Sequence, residues 1–204
     1  MARIKGGILK GKVGPIVRTS WNGIEVERSL PQRPKNAWSE RQILHRERFK
    51  MINEYCRKYK YTLIPQIWNL TAEYGHGYNA FLKANSAAFA LDGKLTDVEK
   101  LHFSAGELPL PQLLKAKRSA EDPSKVEVTW MNDENLPRVF SHDELMMVCA
   151  YPDHFTAPIE TGVLRKNGEA LIALPEDYEN IGGIWLFFRA YKKDGYSGDQ
   201  YFGI

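Results

Sequence analysis

The side chains that could support acid–base, nucleophilic or metal chemistry are few and scattered along the chain. The five histidines are His45, His76, His102, His142 and His154. None has the HExxH or HxH spacing that would direct two imidazoles at one metal ion. The sequence also has no P-loop and no Gly-x-Gly-x-x-Gly motif for binding phosphate. We therefore expect no metal ion and no cofactor.

One short segment, Ser-His-Asp-Glu at residues 141–144, gathers a histidine and two carboxylates. A metal site or an acid–base pair would need these residue types close together. The segment lies directly before the strand-like run Leu-Met-Met-Val-Cys-Ala, where a polar group satisfies backbone donors at the strand entrance. We interpret it as a loop cap.

The two cysteines, Cys56 and Cys149, are too few for a disulfide framework or a cysteine-only zinc site. Cys149 and His154 could meet only if the chain folds back after the strand, so both cysteines are expected to be small buried hydrophobes. Gly-Tyr-Ser-Gly at 195–198 does not match a nucleophile elbow. No group of residues recognisable in the sequence supplies a nucleophile, a base and a residue that orients the base. The sequence predicts a non-enzyme; the alternative is an enzyme with an unrecognised site.

The segment Arg-Thr-Ser-Trp-Asn-Gly-Ile-Glu-Val-Glu-Arg-Ser at 18–29 predicts a β-hairpin. Asn22-Gly23 suits a two-residue type I′ turn, because both turn residues need positive φ. The resulting cross-strand pairs are Trp21–Ile24, Ser20–Glu25, Thr19–Val26, Arg18–Glu27 and Val17–Arg28. One face then carries Trp21, Ile24, Val26, Val17 and Thr19, and the other carries Ser20, Glu25, Arg18 and Glu27.

An isolated two-stranded hairpin is marginal in water, so its apolar face needs a cover. Trp21, Ile24 and Val26 are therefore the candidate partner-binding residues. The cover is either the same chain or a second molecule. Pro31 and Pro34 follow in a linker that separates the hairpin from the next element and favours an outward contact.

About three helices are predicted between Ser39 and Phe89. Ser39 and Gln42 have capping-box spacing, and the apolar stripe of the first helix is Phe49, Ile52, Tyr55/Cys56 and Tyr59. The second helix runs from about Thr62 to Tyr74, with Gly75 and Gly77 ending it. Tyr78, Phe81/Leu82, Asn85 and Phe89 mark a shorter third helix.

Short runs of period two follow, and they predict an antiparallel β-sandwich. They are residues 126–130, 145–150, 162–165, 169–174 and 184–191. The fold class is therefore α+β: an N-terminal β-hairpin plus about three helices, followed by the sandwich. The predicted organisation is a basic hairpin-plus-helical region at 1–95 and a sandwich at 96–204. We expect residues 100–204 to fold alone as a sandwich with Trp130 buried.

The sequence resembles known proteins in two ways: one resemblance covers the C-terminal half of the chain, and the other covers most of its length. The runs VEVTW and IWLFFRAYKKDGYSG make the C-terminal half similar to a fibronectin type III or immunoglobulin-like domain, with Trp130 in its core. The segments MARIKGGILKGKVGPIV, SWNGIEVERSLP, SERQILHRERF and GYNAFLKAN resemble a family of uncharacterised bacterial proteins of similar length, mostly from Bacteroidota. These resemblances imply a fold and bring no activity.

The net charge of +3 conceals an asymmetry: residues 1–60 sum to +10, residues 61–120 to +1 and residues 121–204 to −8. A basic half suits either an anionic partner or attraction between copies. We therefore weigh a structural or protein-interaction protein, with a protein partner or self-association, against a nucleic-acid-binding protein. Candidate phosphate contacts in the second case are Arg41, Arg46, Arg48 and Lys50.

No apolar run suits a membrane span or signal peptide, so we expect a cytoplasmic protein without membrane contact.

Overall fold

The structure is a computed structural model that describes residues 3–5, 8–30, 38–72, 76–132, 136–192 and 194–204. The chain forms two compact units, Met1–Glu40 and Arg41–Ile204. The predicted linker around Pro31 and Pro34 lies outside the described residues.

The N-terminal unit contains a four-stranded antiparallel sheet in the order β1-β2-β3-β4. Its strands are β1 (Arg3–Lys5), β2 (Ile8–Val13), β3 (Ile16–Trp21) and β4 (Ile24–Ser29). The predicted hairpin is β3–β4. The two strands before it were not predicted from the sequence, and they extend the hairpin beyond the marginal two-stranded case. The four strands follow one another as a meander, so β4 is an edge strand of this sheet.

The helices of the larger unit are α1 (Glu40–Arg57), α2 (Asn69–Thr71) and α3 (Gly77–Asn85), and a π-helical turn, Ile64–Trp68, leads into α2. In α1, Ile52 and Cys56 are buried, while Tyr55 and Tyr59 after them are half-buried. The prediction that Phe49 belongs to the buried stripe is wrong, because its side chain is 53% exposed. Only the C-terminal half of α1 packs into the core.

The predicted second helix is shorter than expected and partly π-helical, and four of its apolar residues are buried. They are Leu63, Ile64, Ile67 and Trp68. Gly77 does not end this helix; it begins α3, and its N–H donates to Oδ1 of Asn69 at 3.1 Å. A Cβ at Gly77 would lie 2.5 Å from that oxygen, so the close approach of the two helices requires glycine.

The remaining strands form two antiparallel sheets, ordered β11-β10-β7-β8 and β5-β6-β9. They are β5 (Gln112–Arg118), β6 (Lys125–Met131), β7 (Glu144–Ala150), β8 (Ile159–Leu164), β9 (Glu169–Ala173), β10 (Gly183–Arg189) and β11 (Gln200–Gly203). β5 and β11 were not predicted. Trp130 of β6 is buried between the sheets, where its Nε1–H donates to the carbonyl of Arg165 at 2.9 Å. The predicted α+β class with a sandwich-like C-terminal part is confirmed.

The two central strands of the larger unit's four-stranded sheet, β7 and β10, are buried on both faces. Alternate residues of β10, Ile184, Leu186 and Phe188, pack into the core between the two sheets, whereas Trp185 and Phe187 pack against the helices. Every residue of β10 is buried. Since the helices and the sandwich share this sheet, the predicted boundary at 95/96 falls inside the larger unit, and the division between units lies after Glu40.

Within the described part of the chain, no helix has both the length and the apolar composition needed to cross a membrane.

Candidate functional site

The β3–β4 turn has the geometry that the sequence predicts. Asn22 and Gly23 have φ of 49° and 81°, both in the left-handed region required by a type I′ turn. The register pairs Trp21 with Ile24 and continues through the other four predicted pairs. The turn thus fixes which side chains share a face, because successive residues of a strand point to opposite sides.

The face that carries Trp21 consists of three cross-strand rows, and we call it the Trp face. Its residues are Lys12, Val17, Thr19, Trp21, Ile24, Val26 and Arg28. Trp21 pairs with Ile24 and Thr19 with Val26, while Val17 lies between Lys12 and Arg28. Trp21 is 69% exposed and Ile24 is 62% exposed. Large apolar side chains this exposed and this close together mark a candidate binding surface.

The carboxylates of β3 and β4 lie on the other side of the sheet. Glu27 pairs with Arg18 across the strands, and the Arg18 Nε to Glu27 Oε1 distance is 2.6 Å. Glu25 pairs with Ser20 on the same side. Among the described residues of β2, β3 and β4, the Trp face therefore has cations, Lys12 and Arg28, and no carboxylate.

The four α1 cations named as candidate phosphate contacts have different surroundings. Arg48 is half-buried, and its guanidinium donates to the carbonyls of Ser86, Phe89 and Ala90 at 2.7, 3.1 and 3.1 Å. Its donors are thus committed to the loop after α3. Lys50 lies 3.9 Å from Glu54, one turn along the exposed surface of α1. Arg41 and Arg46 lie on exposed positions of the same helix.

The Ser-His-Asp-Glu segment behaves as a loop cap. Asp143 is fully buried, and its carboxylate accepts the N–H groups of Phe140 and Tyr191, each at 3.0 Å. Oδ2 of Asp143 lies 3.6 Å from Nη1 of Arg165, which is also buried. Glu144 forms an ion pair with Arg189. These carboxylates hold the strand entrance in place rather than meet solvent.

The chain does fold back after β7, but this does not create a cysteine–histidine pair. The Cys149 N–H donates to Oγ1 of Thr156 at 2.9 Å, whereas the His154 ring bonds to Asp153 and stacks on Tyr151. Burial raises the pKa of Cys149 to about 12. Burial therefore keeps the thiol protonated at neutral pH.

His76 lines a groove of about 1130 Å³ in the larger unit, together with Lys83, Lys192 and Asp194. Its walls mix charged groups with Leu108 and other apolar residues. The side chains that line it include no cysteine. In the described parts of the chain, no three histidine, cysteine, aspartate or glutamate side chains lie close enough together to hold a metal ion.

The strongest candidate site is therefore the Trp face. Sequence reasoning placed Trp21, Ile24 and Val26 on it but missed Lys12, which comes from a strand that was not predicted. The signal that could have found that strand is the Gly14-Pro15 turn: Val13 pairs with Ile16 across this turn, and Gly14 has a φ of 57°.

A family model described as "Family of unknown function (DUF6266)" matches residues 8–199. No curated protein and no solved structure matches the chain.

Proposed function

The chain belongs to the DUF6266 family, a family of unknown function, and we propose that it is a non-catalytic interaction protein that binds a macromolecular partner through the Trp face. The observation that carries this proposal is the exposure of Trp21 and Ile24 side by side at the end of a sheet whose turn and register are fixed.

Burial of these side chains would supply the binding energy. A large apolar side chain that becomes buried contributes about 1.5–3 kcal/mol. Tryptophan and arginine are also the residue types that dominate binding hot spots, and the Trp face carries Trp21 and Arg28 in one sheet. Because backbone pairing holds the rows in place, little conformational entropy is lost when a partner binds.

The larger unit serves as the carrier of this surface in our proposal. Its strand order, β11-β10-β7-β8 with β5-β6-β9, supports the resemblance to a fibronectin type III or immunoglobulin-like domain. That fold hosts many roles and assigns none by itself. The likeness to Bacteroidota proteins favours a bacterial source, and two buried free cysteines suit a reducing cytoplasm.

The partner classes that the sequence analysis favours are a second protein and a second copy of this chain. Residues 1–40 carry 8 Lys+Arg against 3 Asp+Glu, a balance of +5, whereas residues 41–204 carry 20 against 22, a balance of −2. The positive charge of the N-terminal unit favours a partner with an anionic surface, and an acidic surface on another protein molecule is one such surface.

The test is site-specific photo-crosslinking in producing cells, combined with sedimentation velocity of the purified chain. A photoreactive residue at Ile24 should yield adducts, while the same residue at Leu91, which is 82% exposed on the larger unit, should not. Digesting the adducts with protease or nuclease then identifies the partner class.

The matched variants are Trp21→Ser and Tyr61→Ser, which remove an exposed aromatic side chain from each unit; Tyr61 is 83% exposed. We expect Trp21→Ser alone to lose adducts or association, with an unchanged melting temperature. The Trp face is not a binding surface, and the proposal fails, if the photoreactive residue at position 24 gives no adduct and Trp21→Ser changes neither the adducts nor the sedimentation of the chain.

A further inference from the structure

We infer that the partner of the Trp face is single-stranded nucleic acid; this rests on the proposed function and names its ligand class. On the sequence alone, Glu25 and Glu27 argue against phosphate at the hairpin. The register places both on the side opposite Trp21, where Glu27 is already paired with Arg18.

Pairing of β2 with β3 adds cations to the apolar rows. Lys12 and Arg28 flank Val17 from the two neighbouring strands, and Lys12 and Arg28 are both exposed. A backbone phosphate over Val17 would therefore meet a cation on either side. The described residues of this face bring no carboxylate, so the local field is attractive to a polyanion throughout.

Trp21 provides the second feature that a single strand requires. It lies four residues from Val17 on β3, which corresponds to about 13 Å along the strand. A base can stack on its indole while phosphates further along the strand reach the Lys12–Arg28 row. Stacking of this kind on a β-sheet surface is tolerant of sequence, because every base has a π-face.

The remaining residues of the rows suit the same ligand. Ile24 and Val26 offer apolar contacts to bases and sugars, and the Thr19 hydroxyl can bond to phosphate or to a base edge. A duplex hides its base faces by stacking and cannot use Trp21. An acidic protein would satisfy the cations but would not need an indole next to them. The combination of one exposed indole and flanking cations therefore favours unpaired nucleotides.

The experiment measures fluorescence anisotropy of labelled oligothymidylate and oligouridylate of about 20 nucleotides with the full chain, starting near 50 mM salt. We expect Trp21→Ala to weaken binding about 5- to 150-fold, the range for one lost stacking contact. Reversal of both cations, Lys12→Glu with Arg28→Glu, should lower the magnitude of the salt slope by about 1.4, which corresponds to two lost phosphate contacts.

The matched control reverses two cations of α1, Arg46→Glu with Lys50→Glu. Because these residues do not belong to the Trp face, the affinity for the oligonucleotides should change by no more than about twofold, and added salt should screen this long-range charge effect. The milder double variant, Lys12→Gln with Arg28→Gln, checks that any loss of oligonucleotide affinity comes from the lost charge and not from misfolding. Melting curves of all variants also report misfolding.

Three results would overturn the inference. In the first, the oligonucleotides do not bind at low salt. In the second, they bind, but only the α1 variants weaken their binding. In the third, poly-L-glutamate competes as well as an oligonucleotide of equal charge, and Trp21→Ala changes the binding of neither polymer. The last result, together with protein adducts at position 24, would leave the proposed function standing with an acidic protein as partner. If position 24 gives no adduct of any kind, both the proposed function and the inference about nucleic acid are wrong.

Discussion

Single residues of the larger unit show how polar groups that look chemically active serve structure. Asp199 is the clearest case, since its buried carboxylate accepts the N–H of Ser104 at 3.0 Å and contacts Nδ1 of His102 at 2.8 Å. One carboxylate thereby joins the segment before β5 to the start of β11. The sequence could not predict this pair, because its members are separated by 97 positions.

The first prediction concerns pH and the His102–Asp199 pair. The hydrogen bond to Asp199 raises the pKa of His102 above its usual value of 6.5. The group binds its proton more tightly in the folded state, so its contribution to stability is fully present below pH 6.5 and is lost as the pH rises through the raised pKa. NMR titration should show the raised pKa, and Asp199→Asn should lower it.

The control is Asp92→Asn, which removes an exposed carboxylate far along the chain from Asp199 and should leave the raised pKa of His102 unchanged. Because the His102 ring is about half exposed, solvent screens the interaction and the pH effect on stability should be modest. A His102 pKa that stays the same in Asp199→Asn would contradict the assignment.

The Arg48 clamp illustrates the element scale, where one side chain ties a helix to a loop. Three carbonyls of the segment from Ser86 to Ala90 accept from its guanidinium. We expect Arg48→Met to destabilise the larger unit by about 1–3 kcal/mol, because partly buried carbonyls lose their charged donor. Arg41→Met, on an exposed position in the first turn of the same helix, should cost much less.

Chemical denaturation measures both variants, and hydrogen exchange locates the effect. Faster exchange confined to the neighbourhood of residues 86–96, where the Thr96 N–H donates to the Ala88 carbonyl, is the expected pattern for Arg48→Met. Equal destabilisation by the two variants would show that the clamp contributes no more than an ordinary surface arginine.

Elements with an uninterrupted local pattern were predictable from the sequence, and those whose pattern is interrupted were not. The Asn22-Gly23 turn specifies the β3–β4 register by itself, so Trp21, Ile24 and Val26 were placed on one face from sequence. β2 contains Gly11, whose φ is 120°, and two lysines, and it becomes a strand only by pairing with β3. The cations of the Trp face therefore required the structure.

The same reasoning explains β5 and the helices. β5 has an irregular register between Gln112 and Lys115, and Leu113 has a φ of 52°, which breaks the period-two pattern that identifies a strand. Phe49 fits the helical spacing of Ile52 and Cys56, but the core ends before it reaches the N-terminal half of α1. Periodicity predicts a buried face only where another element covers it.

At the scale of the whole molecule, the two units differ in how they are stabilised. The larger unit has two cores on opposite sides of one sheet, and the sheet residues alternate between them. The N-terminal unit has a sheet on which Trp21 and Ile24 are exposed to solvent. This division suits a stable carrier joined to a binding surface, which is the arrangement that the proposed function requires.

The last prediction follows from the shared sheet. Without α1, α2 and α3, a fragment of residues 96–204 exposes the face of the four-stranded sheet formed by Met146, Val148, Trp185 and Phe187. We expect this fragment to aggregate or to remain partly unfolded, contrary to the expectation from sequence that the sandwich folds alone, because a large apolar patch would face water. A fragment of residues 41–204 retains both cores and should melt cooperatively near the temperature of the full chain. Calorimetry and sedimentation of the two fragments test this. A monomeric 96–204 fragment that melts cooperatively with native near-ultraviolet dichroism would show that the helices are an addition to the sandwich rather than part of its core.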